Sequence, residues 1–190
     1  MKSRNEVEIK FAIADIHQLT RRLREAGFEK ITPRTHELNV LYDLPGHPLR
    51  NRGELLRLRQ YGSDWVLTHK GKGKAGRHKT RAETETKVAD GEEMARILGA
   101  LGFRPSFRYE KFRAEWKDGS GHVVVDETPL GTLGEIEGPA RWIDSTARKL
   151  GITREHYLTK SYAELFFDWK KKHKSAAKEM TFSEMRKSRE

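Results

Sequence analysis

An α+β fold is predicted, with eight mostly antiparallel strands, helices inserted between them and more helix at the end. Three observations lead there. Charged and apolar residues alternate strictly in Glu6-Val7-Glu8-Ile9-Lys10, and a period of two marks a strand because successive side chains point to opposite faces. The same alternation recurs on nearly every later apolar segment, between turns rich in Gly, Pro and Asp. Two helical patterns interrupt the series, and a further group follows it.

The elements follow in order. After the first strand, Asp15 caps a helix to about Ala26, with Ile16, Leu19 and Leu23 as its apolar stripe and Gly27 as its stop. His36 to Asp43 reads as the second strand, closed by Leu44-Pro45-Gly46-His47-Pro48. Leu55 to Arg59 and Trp65 to Lys70 form a hairpin about Gly62-Ser63-Asp64. A glycine- and lysine-rich loop, Gly71 to Lys79, leads to a fifth strand, Thr80 to Val88. Asp90 starts a helix that buries Met94, Ile97, Leu98 and Leu101. Arg108 to Lys117, His122 to Asp126 and Thr132 to Glu137 are the remaining strands. Helices are expected from Pro139 to Leu150 and from Lys160 to about Lys172, with a frayed or mobile helix beyond.

Several strands put charge on one face and apolar residues on the other. A closed barrel accommodates this with charges around a wet lumen and apolar residues under covering helices. The alternative is a half-exposed sheet with its charges outside.

Composition sets outer limits. A chain of 190 residues suits one domain with a real core. Its apolar and charged fractions are both 35%, low and high for a globular protein, which fits a charged interior cavity. No stretch is long and apolar enough to span a bilayer, and no signal-peptide pattern opens the chain. Without cysteine there is no disulfide framework and no thiolate metal site. A soluble, cytoplasmic protein is the expectation, as monomer or homodimer. The net charge of +10 invites a nucleic-acid reading. From Asp168 onward, however, eight Lys/Arg against four Asp/Glu supply +4 of it, which reads as a solubilising basic tail.

Collected together, the alternating charges form two complementary sets. The acids are Glu6, Glu8, Glu83, Glu85, Asp126, Glu135 and Glu137; the bases are Lys10, Arg57, Arg59, Lys70, Arg81, Lys111 and Arg113. Residues two apart on a strand share a face, so each Glu-x-Glu offers paired oxygen ligands. Carboxylates without His or Cys suit hard cations such as Mg²⁺ or Mn²⁺. Arginine forks bind phosphate oxygens bidentately, and several together suit a polyanion. Gly71-Lys72-Gly73-Lys74-Ala75-Gly76 matches a dinucleotide fingerprint only on paper, because a strand pattern follows it where that motif needs a helix. It reads instead as a basic loop able to close over phosphates through Lys72, Lys74, Arg77 or Lys79. Tyr42, Trp65 and Trp142 are potential stacking residues but read as core.

In these residues the chain resembles the CYTH superfamily, the triphosphate tunnel metalloenzymes. Glu6-x-Glu8-x-Lys10 looks like the family's ExExK signature. The likeness continues through Leu56-Arg57-Leu58-Arg59, Leu67-Thr68-His69-Lys70-Gly71, Arg81-x-Glu83-x-Glu85 and Lys111-x-Arg113. It ends with Val125-Asp126, Gly134-Glu135-Ile136-Glu137 and Lys160-Ser161-Tyr162-Ala163-Glu164-Leu165. The resemblance implies an eight-stranded antiparallel β-barrel tunnel over residues 1–169, with a basic helical or disordered tail at 170–190. It also implies action on a triphosphate-containing small molecule with Mg²⁺ or Mn²⁺. Carried over, Lys10, Arg57, Arg59, Lys70, Lys111, Arg113 and Lys160 would hold the triphosphate. Glu6, Glu8, Asp126, Glu135 and Glu137 would carry metal, supported by Glu83 and Glu85. Metal-dependent triphosphate hydrolysis is the leading expectation, a class IV adenylyl cyclase the second, and polyphosphate or RNA binding without turnover the third.

Overall fold

The computed structural model describes residues 4–74 and 76–188. Ala75 of the basic loop and Arg189 and Glu190 of the tail lie outside the described residues, as do residues 1–3. The strands are β1 (Arg4–Ala12), β2 (Glu29–Asp43), β3 (Leu55–Tyr61), β4 (Asp64–Lys70), β5 (Lys79–Val88), β6 (Arg104–Lys117), β7 (His122–Thr128) and β8 (Gly131–Glu137). They close into one barrel in the order β1-β5-β4-β3-β2-β6-β7-β8, and every neighbouring pair is antiparallel. The half-exposed sheet is therefore excluded. Among the described residues no helix is long and apolar enough to cross a membrane.

Closure determines which face of each strand goes where. The apolar rows point outward and are covered by helices α1 (Ile16–Glu25), α3 (Gly91–Ala100) and α4 (Ala140–Lys149); a short α2 (Pro48–Asn51) follows β2. Ile9, Phe11, Trp116, Val123, Val125 and Ile136 from the strands pack with Leu19 and Leu23 of α1 and Ile143 and Ala147 of α4. Asp15 caps α1 as expected, accepting from the Gln18 amide at 3.0 Å. Tyr42, Leu58 and Leu98 centre a second cluster joined by Trp65, and Trp142 packs on the first, so the potential stacking residues are outer core. Two glycines permit this packing. A Cβ on Gly134 would lie 2.1 Å from the Phe11 ring, and one on Gly91 would lie 1.9 Å from the Trp65 ring.

Several elements differ from expectation. On α3 Met94 and Leu98 pack inward, but Ile97 and Leu101, expected on its buried side, are exposed, and β6 begins four residues before the expected Arg108. β2 begins seven residues earlier than predicted, at Glu29. Its register against β6 shifts between Lys30 and Thr32 and again between Thr32 and Thr35. Such bulges, with Pro33 between them, erase the period of two. The tail differs more. Helix α5 (Tyr162–His173) ends with Lys174 in a left-handed conformation, and α6 (Phe182–Lys187) follows. β6 pairs with β7 only from Phe112 onward, leaving the edge of the preceding residues open. The tail fills that edge. The Met180 amide donates to the Arg108 carbonyl, and the Glu110 amide donates to the Met180 carbonyl, both at 3.0 Å. Ala177, Met180 and Met185 are buried with Phe107, Tyr109 and Phe166. Covering an exposed β edge is what orders a segment whose charge suggests fraying.

Met180→Ala should therefore destabilise the protein by about 2–5 kcal/mol in urea unfolding, the usual cost of emptying a filled core site. An unchanged midpoint would mean that the tail is not part of the core.

Candidate functional site

The inward rows enclose a cavity of about 790 Å³ running through the barrel. β1 contributes Glu6, Glu8 and Lys10 to its wall, and β8 adds Glu135 and Glu137. β3 and β4 contribute Arg57, Arg59 and Lys70; β5 contributes Lys79, Arg81, Glu83 and Glu85; β6 contributes Lys111 and Arg113. Lys160 lines it from the approach to α5. Of the fourteen residues expected at the site, only Asp126 does not line this space.

Strand register places opposite charges abreast. Lys10 faces Glu135 across β1–β8, Lys70 faces Glu83 across β4–β5, and Arg113 faces Asp126 across β6–β7. Lys10 lies 2.7 Å from Glu8 and 3.2 Å from Glu135. Lys70 reaches Glu6 at 2.6 Å and Glu83 at 3.4 Å. Arg57 and Arg59 approach Glu85 at 3.8 and 3.3 Å. Arg113 donates to both oxygens of Asp126 at 2.6–2.7 Å and to Glu135 at 2.6 Å. Burial alone would discharge such groups; their partners prevent it. Burial opposes the charge of Lys10, yet Glu135 and Glu8 hold its pKa above the ordinary lysine value. Burial likewise opposes ionisation of Glu135, but Lys10, Arg113 and Lys111 hold it well below the carboxylate range.

The balance is uneven along the tunnel. Arg57 is buried and Arg59 half-buried, and the buried Nε atom of each lacks a hydrogen-bond partner. Burial and the nearby Lys10 charge depress the pKa of Lys79, and Lys72 and Lys74 of the basic loop also line the space. These cations favour an anion. Arg77, expected as a possible phosphate contact, turns outward, where it and His78 meet Asp144 of α4 at 2.7 and 2.9 Å and pin the loop. The Lys160 ammonium pairs with Asp168 on α5. The Ser161–Glu164 capping box fixes the start of that helix.

The inward acids present oxygen donors to a divalent cation. Among the described residues no three acids or histidines converge into a ready-made cage; most inward carboxylates lie against Lys or Arg. The donor chemistry nevertheless fits. Glu8 and Glu137 stand abreast across β1–β8. Burial above all, and then the charges of Glu6 and Glu85, raise the pKa of Glu83 despite Lys70 and Arg57, so its counter-ions do not fully offset its desolvation and its acidic neighbours. Mg²⁺ characteristically takes one or two carboxylates and completes its shell with water and substrate phosphates. Asp126 fits this role less well. It is fully buried, and Lys111, Arg113 and the Tyr162 hydroxyl occupy its oxygens.

Three contributors were not singled out from the sequence. Glu37 and Asn39 are fully buried on the inward face of β2, beneath the lining side chains; their Glu-x-Asn spacing is the same signal as Glu-x-Glu, but it carries one charge. Lys111, Arg113, Arg59 and Arg57 hold the Glu37 carboxyl at about 2, against the pull of burial. Tyr162 is the third, its ring 4.5 Å from the Lys111 ammonium and 5.6 Å from that of Lys10.

A family model for the CYTH domain matches residues 4–162. The chain belongs to the CYTH domain family. It is 29% identical over 171 residues to a provisionally named adenylate cyclase of Methanocaldococcus jannaschii, covering 84% of this chain and 97% of that one. A provisionally named adenylate cyclase from Vibrio parahaemolyticus superposes with a TM-score of 0.79 at 18% identity, over 87% of this CYTH chain and 99% of the other. A Hippeastrum protein, provisionally an adenylyl cyclase and described as having a dominant triphosphatase activity, gives 0.63 at 19% identity, over 86% and 96%. At those identities the two structures bear on fold alone.

Crowding at Glu83 yields a signed prediction. A carboxyl whose folded pKa is raised loses stability as pH climbs from its ordinary 4.5 through the folded value. Metal-free Glu83→Gln should escape that loss, so its urea midpoint should exceed that of the parent increasingly toward neutral pH. A variant less stable than the parent at neutral pH would contradict the crowding.

Proposed function

We propose that this CYTH protein is a divalent-metal-dependent phosphohydrolase acting on a triphosphate compound. One observation carries the reading: the closed tunnel holds acids and cations together, yet leaves buried arginine donors without partners. A linear polyanion accompanied by a divalent cation supplies both missing charges. Lys10, Arg57, Arg59, Lys70, Lys111 and Arg113 bind and orient the phosphates, and Lys160 closes on them from the segment before α5 after leaving Asp168. Glu6, Glu8, Glu135 and Glu137, supported by Glu83 and Glu85, hold Mg²⁺ or Mn²⁺. When bound, such a cation shields phosphate oxygens and lowers the pKa of a coordinated water. The arginines stabilise charge that spreads over the phosphate oxygens as the P–O bond loosens. Asp126, its oxygens already occupied, serves as counter-ion to Lys111 and Arg113.

A class IV adenylyl cyclase is the second reading, and one feature favours it. Beyond the charged zone the cavity is lined by Leu41, Leu55, Phe107, Ala163 and the partly exposed Phe167. Arg50 lies over the Phe167 ring at 5.2 Å. That mouth suits an organic group on the triphosphate, and the Methanocaldococcus relative bears a cyclase name. In that reaction a ribose hydroxyl attacks the α-phosphorus and pyrophosphate leaves.

Product analysis separates the two. Incubation with ATP and Mg²⁺ or Mn²⁺ should release phosphate and ADP; cyclic AMP with pyrophosphate would establish the cyclase instead. Arg57→Ala should lower kcat/KM by about 100-fold or more while the fold is retained by circular dichroism. Glu137→Gln should abolish metal-dependent turnover. Full metal-stimulated activity in that variant would remove Glu137 from the cation site.

A further inference from the structure

Glu37 has no exposed surface and lies on the inward face of β2, covered by the lumen-lining side chains around it. Three wall cations from the strands flanking β2 converge on its carboxylate. Lys111 Nζ lies at 3.4 Å, Arg113 Nε at 3.7 Å and Arg59 Nη1 at 4.0 Å. Asn39 Nδ2 donates to Oε1 at 2.9 Å, whereas Oε2 has no hydrogen-bond partner. The two guanidinium distances exceed hydrogen-bonding range, so Glu37 acts on those arginines through its charge. A lone buried carboxylate is costly unless nearby cations require it. Here they do, because Lys111 sits between Glu37 and Asp126 on one side and the Tyr162 ring on another.

We propose that Glu37 is a positioning residue for the phosphate-binding cations. Its charge centres Arg59, Lys111 and Arg113, and it keeps the tunnel's positive potential below the level that would trap substrate or a phosphate product. It touches neither substrate nor metal. Interactions that stabilise ground state and transition state alike do not speed turnover, so a tunnel without this charge would bind more tightly and work more slowly. The inference deepens the triphosphate reading above and rests on it.

Glu37→Gln keeps the shape and the Asn39 contact but removes the charge; Glu37→Asp keeps the charge on a shorter stem. Binding of inorganic tripolyphosphate without metal would be measured by calorimetry, and turnover of tripolyphosphate and of ATP with Mg²⁺ by phosphate release. E37Q should bind tripolyphosphate about tenfold or more tightly than the parent. Its kcat should fall about tenfold or more, with a lower KM. E37D should retain near-parental affinity and recover part of kcat. Equal losses in E37Q and E37D would mark a merely structural contact and overturn the proposal, as would unchanged affinity in E37Q. If E37Q does not fold, Asn39→Ala decides, since it keeps the charge but frees the carboxylate. Its kcat should fall with tripolyphosphate affinity unchanged, and an unchanged kcat would overturn the proposal. A parental protein that binds no tripolyphosphate would remove the triphosphate reading itself, and this inference with it.

Discussion

Mutual neutralisation of charges inside the barrel is the constraint on which the rest of the structure depends. Each ionised group taken out of water carries a desolvation cost of several kcal/mol, and only close, well-oriented partners offset it. The network meets that condition strand by strand: Lys10 between Glu8 and Glu135, Lys70 between Glu6 and Glu83, Arg113 between Asp126 and Glu135. Register makes Lys10–Glu135, Lys70–Glu83 and Arg113–Asp126, because residues directly opposite across a ladder lie within reach of each other. Lys10–Glu8 joins neighbours on one face of β1, and Lys70–Glu6 and Arg113–Glu135 each reach past an intervening strand. A slip of one residue on any strand would turn its charges into the apolar layer under the helices. The charges thus specify register as firmly as the outer core does.

The same network explains how a protein interior can stay reactive. A fully balanced tunnel would be inert salt. Here the balance is deliberately incomplete at two places, the unpartnered Nε atoms of Arg57 and Arg59 and the crowded acids around Glu83. One suits an anion and the other a cation. Under the proposed function a metal–phosphate complex would answer both, and the preset positions of the cations would spare the reorganisation that water requires.

The elements outside the barrel serve the mouth of this tunnel. The loop after β4 is fastened on its outer side by Arg77 and His78 to Asp144, which leaves Lys72, Lys74 and Lys79 turned inward. α5 covers the mouth beside that loop, with Tyr162 bonded to Asp126 and Lys160 at the rim. The tail beyond it joins the open edge of β6 and secures the base of that helix through Met180 and Met185.

Much of this was legible in the sequence. Period-two alternation locates the strands, and the repeated charge pairs on one face identify thirteen of the lumen-lining residues. These are local properties, fixed by side-chain direction along a strand. The rest depended on which strands meet. Asp126 carries the same alternation signal as its neighbours, yet its placement opposite Arg113 and beneath Tyr162 makes it a counter-ion. Glu37 carries only half the signal but receives three cations from two other strands. The tail's order comes from an unpaired edge on β6, a feature of barrel closure with no counterpart in the tail's own residues. Sequence determined which side chains point inward; only the closed structure decided which charges meet, because partners across a barrel come from segments far apart in the chain.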